Sequence, residues 1–262
     1  MQQSIQLTQA VDAPPERAWH ACSEPAGLAA WQADEVKGRV VPGGRLLLSW
    51  PALGASIELT VEELQAGRRL VLQGAVSRLA LVVEPGRVIL TQDGLSAGDE
   101  AEGTASSWRL SLAVLAHYLT HHDGATRQVS WFVRPVRTNT EAAHALFTRE
   151  ATLRTWLTRG GEIAEPGSRV RLRLAWGDSL TGTVLAHTPG RDVAVSWTEQ
   201  AESVLALRTL PSPRTPGERL VAMVWSHWGD IPSLGHTEEQ LARAVERLAG
   251  VLGGDTEPDG RA

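Results

Sequence analysis

The feature that most constrains the fold of this 262-residue chain is that its pattern runs through twice. Ala18 stands thirteen residues before Trp31, and Ala143 stands thirteen before Trp156, an offset of 125 between the halves. Pro42-Gly43-Gly44-Arg45 matches Pro166-Gly167-Ser168-Arg169 at an offset of 124, and Gly67-Arg68 before Leu70-Val71-Leu72 matches Gly190-Arg191 before Val193-Ala194-Val195 at 123. Drift by single residues is what loops of unequal length between matched elements produce. A repeat of this period makes each copy a domain of ordinary size. The expected division is 1–124 and 125–253, with the boundary at Asp123-Gly124-Ala125 and a polar, Gly- and Asp-rich flexible tail at 254–262.

The local signals come in the same order in both copies. Ile5 to Val11 reads as a strand, as does Val129 to Val136. Asp12-Ala13-Pro14-Pro15-Glu16 reads as a helix start, with Asp12 as cap and proline where no amide partner is lost; Thr138-Asn139-Thr140-Glu141 offers a capping box instead. Two short helices follow in each half, ending at Trp31 and Trp156. Arg169 to Trp176 alternates, which puts Val170, Leu172, Leu174 and Trp176 on one face of a strand and three arginines on the other. More strands follow, among them Leu70 to Gln73, Leu79 to Glu84 and Val88 to Thr91. Each half closes on a long amphipathic helix, through Trp108, Leu112, Leu115 and Leu119 in the first and Leu241, Val245, Leu248 and Leu252 in the second, the latter opened by Thr237-x-x-Gln240. The fold class is therefore α+β.

Composition excludes several function classes. The formal charge is −5 and the basic residues are interspersed with acids, so no basic block points to nucleic acid or anionic lipid. All the basic residues but Lys37 are arginine, which reads as coding bias. The apolar runs, such as Leu79 to Val83, are too short for membrane insertion, and Met1-Gln2-Gln3-Ser4 lacks the regions of a secretory leader, so a cytoplasmic address is expected. The single cysteine, Cys22, cannot form an internal disulfide and sits in an apolar helical segment as a small core residue.

These segments resemble the START-like (SRPBCC, helix-grip) superfamily, most closely its activator of heat-shock protein 90 ATPase homologue branch. The residues that carry the resemblance are Ala13-Pro14-Pro15-Glu16-Arg17-Ala18-Trp19, Ala30-Trp31, Pro42-Gly43-Gly44-Arg45, Leu90-Thr91-Gln92-Asp93-Gly94 and Ser107-Trp108 in the first half. In the second they are Thr155-Trp156, Pro166-Gly167, Val195-Ser196-Trp197 and Trp225-Ser226-His227-Trp228-Gly229. The resemblance implies two tandem domains, each a curved antiparallel sheet around a long C-terminal helix, with a cavity between them that holds lipids, hormones or polyketides in various members. It implies no fixed catalytic set and no cofactor, so function does not transfer with the architecture. Each half departs from the pattern: Gln73-Gly74 stands where the second half has Trp197, and Leu241 stands where the first has Trp108.

Ten tryptophans against one tyrosine and two phenylalanines supply the candidate ligand-binding residues, because indole joins a large apolar area to one N–H donor. In the second half these are Trp176, Trp197 and Trp225, with His227 as a polar group; in the first they are Trp31, Trp50 and Trp108 above Leu112 and Leu115. The richer set of indoles favours the second half. The same side chains serve as core filling, and that alternative stays open. Gly177-Asp178-Ser179-Leu180 spells an esterase motif but lies mid-chain after a strand with no late Asp-x-x-His, so it reads as a turn. His117 and His121 have the i,i+4 spacing that can hold a metal, followed by His122-Asp123, but no third ligand stands at motif spacing and no metal is expected.

The sequence thus points to a tandem binding protein for a small hydrophobic molecule. Two alternatives remain: a chaperone-associated or other protein-interaction module acting through its surface, and, below it, a cyclase- or hydrolase-type enzyme with His227 or Asp230 as base. The expected partner is a small hydrophobic molecule or a protein.

Overall fold

The computed structural model describes residues 2–212, 215, 218–231 and 233–253. The chain divides into two compact units, Met1–Gln128 and Val129–Ala262. The tail expected at 254–262 lies outside the described residues.

The first unit runs β1 (Gln2–Ala10), α1 (Pro15–Ser23), α2 (Pro25–Ala29), β2 (Glu35–Gly38), β3 (Arg45–Trp50), β4 (Ala55–Gln65), β5 (Arg69–Gln73), β6 (Arg78–Glu84), β7 (Arg87–Ser96) and α3 (Asp99–His121). Its seven strands form one antiparallel sheet in the order β1-β7-β6-β5-β4-β3-β2, and α3 lies against β1 and β7. The second unit runs β8 (Arg127–Val136), α4 (Thr140–His144), α5 (Glu150–Trp156), β9 (Thr158–Gly160), β10 (Arg169–Leu174), β11 (Ser179–Thr188), β12 (Asp192–Trp197), β13 (Ser203–Pro211), β14 (Arg219–Trp228) and α6 (Leu234–Gly253). Its order, β8-β14-β13-β12-β11-β10-β9, repeats that of the first, and α6 lies against β14 and α5. Two curved antiparallel sheets, each gripping one long helix, make the α+β class and the tandem architecture plain.

The repeat reaches down to single bonds. Trp31 Nε1 donates to Ala21 O at 2.9 Å, and Trp156 Nε1 donates to Leu146 O at 2.9 Å, each ten residues back, so both indoles pin the short-helix pair to itself. Both copies interrupt the sheet register at the same place, between Val61 and Glu63 in β4 and between Val184 and Ala186 in β11. An extra residue there bends the strand and strengthens its twist, which curves the sheet towards the helix. The matched turns also need the same backbone: Gly67 and Gly190 have φ of 76° and 75°, where an L side chain is strained.

Why the strands face as they do follows from alternation. In β10, Val170, Leu172 and Leu174 are buried while Arg169, Arg171 and Arg173 are exposed. The stripe ends at Leu174, because Gly177 takes a φ of 110° and closes a turn in which Leu174 N bonds Asp178 O at 2.8 Å. Trp176 therefore lies past the end of the strand in that turn, yet it still packs, partly buried, against the core formed by Val170, Leu172 and Leu174, and its Nε1 donates to Asp178 Oδ2 at 2.8 Å.

The helix starts differ from the reading of their motifs. Asp12 does not cap α1; Pro14 holds the N-cap position with Pro15 in the first turn, and no side chain caps it. Asn139 caps α4, its Oδ1 accepting from Ala142 N at 2.7 Å, in place of a threonine-led capping box. α3 begins nine residues before Trp108, because Gly98 turns the chain at φ 85° and Asp99, Glu100 and Glu102 then complement the helix N-terminus. α6 likewise begins at Leu234, so Thr237 lies inside its first turn.

Candidate functional site

The inner face of each sheet can be followed across its strands by register. In the first unit Leu46 is opposite Leu59 and Leu48 opposite Ile57; Val61 is opposite Leu72, Leu72 opposite Leu79, and Leu79 opposite Gln92. In the second, Val170 is opposite Gly182 and Leu172 opposite Leu180; Val184 is opposite Val195, Val195 opposite Leu205, and Leu205 opposite Trp225. Gln92 of the first grip is thus the counterpart of Trp225 in the second. Ile57 is the counterpart of Leu180, and Leu59 of Gly182. Continuing β5 and β12 by two residues brings Gly74 opposite Ser77 in one and Trp197 opposite Ser203 in the other.

These exchanges fill the second grip. Trp197 and Trp225 are both fully buried, with ring centroids 6.1 Å apart. Their N–H donors are already used, Trp197 Nε1 on Ser179 O at 3.0 Å and Trp225 Nε1 on Ser203 Oγ at 2.8 Å. Each burial of an indole is worth about 4–6 kcal/mol by area. His227 lies beside Trp225, with centroids 5.1 Å apart, and is buried. Burial pushes its imidazole below the ordinary histidine range, while the Gly229 backbone and the Glu238 carboxylate pull the other way. Its Nδ1 has no hydrogen-bond partner among the described residues. Asp230, three residues on, is exposed.

The first grip is built differently at the same end. Gly74 carries no side chain, and the indole comes from the helix: Trp108 Nε1 donates to Gln92 Oε1 at 2.6 Å, and the Trp108 ring lies 6.4 Å from that of Trp31. Trp31 is buried, whereas Trp108 and Trp50 are half-buried, Trp50 Nε1 reaching Gln32 O at 3.3 Å. Leu112 and Leu115 lie beneath, fully buried on α3. Ile57 is 48% exposed, although its counterpart Leu180 is 0% exposed. The turn carrying the exposed Val76 passes so close to β7 that a Cβ on Gly94 would sit 2.2 Å from Val76 O, and Gly94 has a φ of 84°. The structure thus brings Trp31 and Trp108 together in the first unit and Trp197, Trp225 and His227 together in the second. Trp176 lies in its turn, partly buried against the core of the second unit.

Other motifs resolve simply. Ser179 is the exposed first residue of β11, after the glycine turn. Cys22 is buried and its thiol is pushed up to about 12 by burial, so no thiolate forms near neutrality. A shallow depression of about 420 Å³ on the first unit is lined by Glu63, Gln65, Arg68, Arg69 and Val82, and Arg69 pairs with Glu63 across it.

One arrangement had no sequence signal. His144 of α4 stacks on His187 of β11, centroids 5.2 Å apart and planes 19° apart, with His144 Nε2 and both His187 nitrogens buried and without hydrogen-bond partners among the described residues. Burial first, then His187, pushes His144 down to about 4, against a pull from Asp192. Asp192 is itself paired with Arg208 at 3.1 Å, both largely buried. Residues 43 apart in sequence on a helix and a strand offer no spacing that a motif could reveal.

Among proteins of known family, residues 12–120 match the family described as activator of Hsp90 ATPase homolog 1-like protein. No curated protein matches the chain. Similar solved structures include the di-domain ARO/CYC BexL from the BE-7585A biosynthetic pathway, 14% identical with a TM-score of 0.43, covering 98% of this chain and 99% of that one. DynU16, from the dynemicin biosynthetic locus, is 17% identical with a TM-score of 0.39, covering 97% and 99%. The AHSA1-like protein from Aeromonas hydrophila is 22% identical with a TM-score of 0.38, covering 45% of this chain and 92% of that one.

Proposed function

We propose that the chain binds a small hydrophobic molecule in its first domain, a reading supported by the match of residues 12–120 to the activator of Hsp90 ATPase homolog 1-like family, whose topology the second unit repeats. The observation that carries this reading is one matched pair: Ile57 on the inner face of the first sheet is 48% exposed, and Leu180 at the same register in the second is 0% exposed. An apolar side chain left open on an inner face, beside partly open indoles, offers area that a ligand would cover. Trp108 and Gln92 supply the polar end of such a site, since the Gln92 amide has a donor left after its oxygen accepts the indole N–H. The second domain, with Trp197 and Trp225 buried and their donors used, serves as a filled scaffold.

A second reading has a protein segment covering the same apolar residues, favoured by Val76, which is 76% exposed on the turn beside this edge. An enzymatic reading has less support, because His227 is buried against Trp225 and Asp230 is exposed at the strand end.

Native mass spectrometry of the full chain purified from its own cells tests the proposal. The expected result is a bound low-mass apolar molecule that is lost from a Trp108→Ala variant and kept by Trp176→Ala. Absence of bound mass, together with no saturable binding of 1-anilinonaphthalene-8-sulfonate, would put the protein-partner reading first.

A further inference from the structure

The corner between β4 and β5 carries two adjacent arginines, Arg68 and Arg69, and strand register fixes what surrounds them. Gln65 is opposite Arg69, Arg69 is opposite Val82, and Glu63 lies two residues before Gln65, so these four share one face of the sheet. It is the outer face, because Arg69 alternates with Leu70, which lies with Leu72 on the inner one. Gly67 turns the chain at φ 76°, Arg68 N bonds Gln65 O at 3.0 Å, and Arg68 thereby completes the rim of the hollow of about 420 Å³.

The donors and acceptors around this hollow do not balance. Glu63 spends both oxygens, Oε1 accepting from Gln65 Nε2 at 2.7 Å and Oε2 from Arg69 Nε at 3.2 Å. The terminal nitrogens of Arg69 make no hydrogen bond among the described residues, and the Arg68 guanidinium has neither hydrogen-bond nor ion-pair partner among them. Each guanidinium is a planar fork of five N–H donors. Two forks with donors to spare therefore meet one hollow, and two cations against one carboxylate leave its lining a single positive charge in excess.

The second domain treats the same corner differently. At the offset of 123, Asp192 stands for Arg69 and Thr188 for Gln65, and Ala186 stands for Glu63. Across the next strand pair Arg208 stands where Val82 does. Asp192 and Arg208 pair at 3.1 Å, both largely buried, so that corner carries its own anion for its cross-strand arginine. In the first domain Arg69 faces Val82, borrows Glu63 from its own sheet neighbour, and leaves Arg68 unmatched. The missing partner is an oxyanion. A planar carboxylate matches a guanidinium fork in two parallel hydrogen bonds, and one negative charge balances the excess. Val82 and the arginine stems offer an apolar body something to lie on.

We propose that this hollow binds a small organic monocarboxylate, held at its carboxylate by Arg68 and Arg69 and at its apolar part by Val82. Titration of the full chain with sodium benzoate at low ionic strength, followed by proton–nitrogen correlation spectra, tests this. Saturable shifts are expected at the backbone amides of Arg68, Arg69, Val82 and Val83, and none with benzamide, which has the same shape without the charge. Arg68 is exposed and pairs with nothing described, so Arg68→Gln leaves the fold intact and should weaken benzoate by about tenfold or more. Arg171→Gln, which removes an exposed guanidinium on β10, should leave the affinity unchanged. The site is overturned if these amides show no saturable shift, if benzamide shifts them equally, or if Arg68→Gln binds benzoate as the wild type does. Tighter binding of inorganic phosphate than of benzoate would overturn the assignment to a carboxylate.

Discussion

The two domains place the same kind of side chain on opposite walls. In the first, the indole comes from the helix as Trp108 and meets Gln92 on the sheet; in the second, the sheet carries Trp225 at the Gln92 register and the repeat puts Leu241 where Trp108 stands. A second exchange puts Leu59 beside Gly74 in one domain, and Gly182 with Trp197 at the matching positions in the other. Topology, bulges and helix-pinning indoles are shared, so the two domains differ at these registers in which wall carries the indole. Packing at native density makes such swaps consequential, since a domain that gains an indole on one wall must lose volume elsewhere.

The comparison breaks most readily through stability. Trp225→Ala in the filled grip should cost about 3–5 kcal/mol, and Leu180→Ala about 2–5 kcal/mol, because both remove fully buried volume. Ile57→Ala at the open register should cost well under half of the Leu180 value, given its exposure. Urea unfolding of the full chain measures all three, and equal costs for Ile57→Ala and Leu180→Ala would mean that the two grips are equally closed.

Acid should act on the second domain next. His144 is held neutral down to about pH 4 in the folded state but has an ordinary value of 6.5 when unfolded. Between those values the unfolded chain binds the extra proton, so stability is complete above pH 6.5 and falls as pH drops towards 4. The loss is at most about 3 kcal/mol. The depressed His227 acts in the same direction. His144→Gln should flatten the decline measured by denaturation at a series of pH values, and an unchanged slope would show that burial of this ring is not what drives it.

Smaller effects sharpen the polar end of the first grip. Gln92→Leu removes the acceptor of the Trp108 indole and should cost about 1 kcal/mol, while loosening Trp108 enough to lower its fluorescence anisotropy. Ser179→Ala should change stability by no more than about 0.5 kcal/mol and leave any activity on short acyl esters as it was, because Ser179 is an exposed turn-end residue.

Much of the fold was legible because it rests on local patterns that occur twice. The alternation of β10, the glycine turns and the paired Trp31 and Trp156 all announce themselves within a few residues. Helix starts were misread where proline and glycine backbone did the work expected of side-chain caps, as at Pro14 and Gly98. The candidate site was less legible. Sequence gives the number of indoles in each half but not which wall they occupy. The exchange of Gln92 for Trp225 becomes visible only when strand register aligns the two sheets.

The most direct test of the contrast between the grips is a proton–nitrogen correlation spectrum of the indole N–H groups in full-length protein during titration with 1-anilinonaphthalene-8-sulfonate. The account expects saturable shifts at Trp31, Trp50 and Trp108, with Trp197 and Trp225 unmoved because their N–H bonds lie inside a filled core. Saturable shifts at Trp197 and Trp225 with the first-domain indoles unmoved would contradict it.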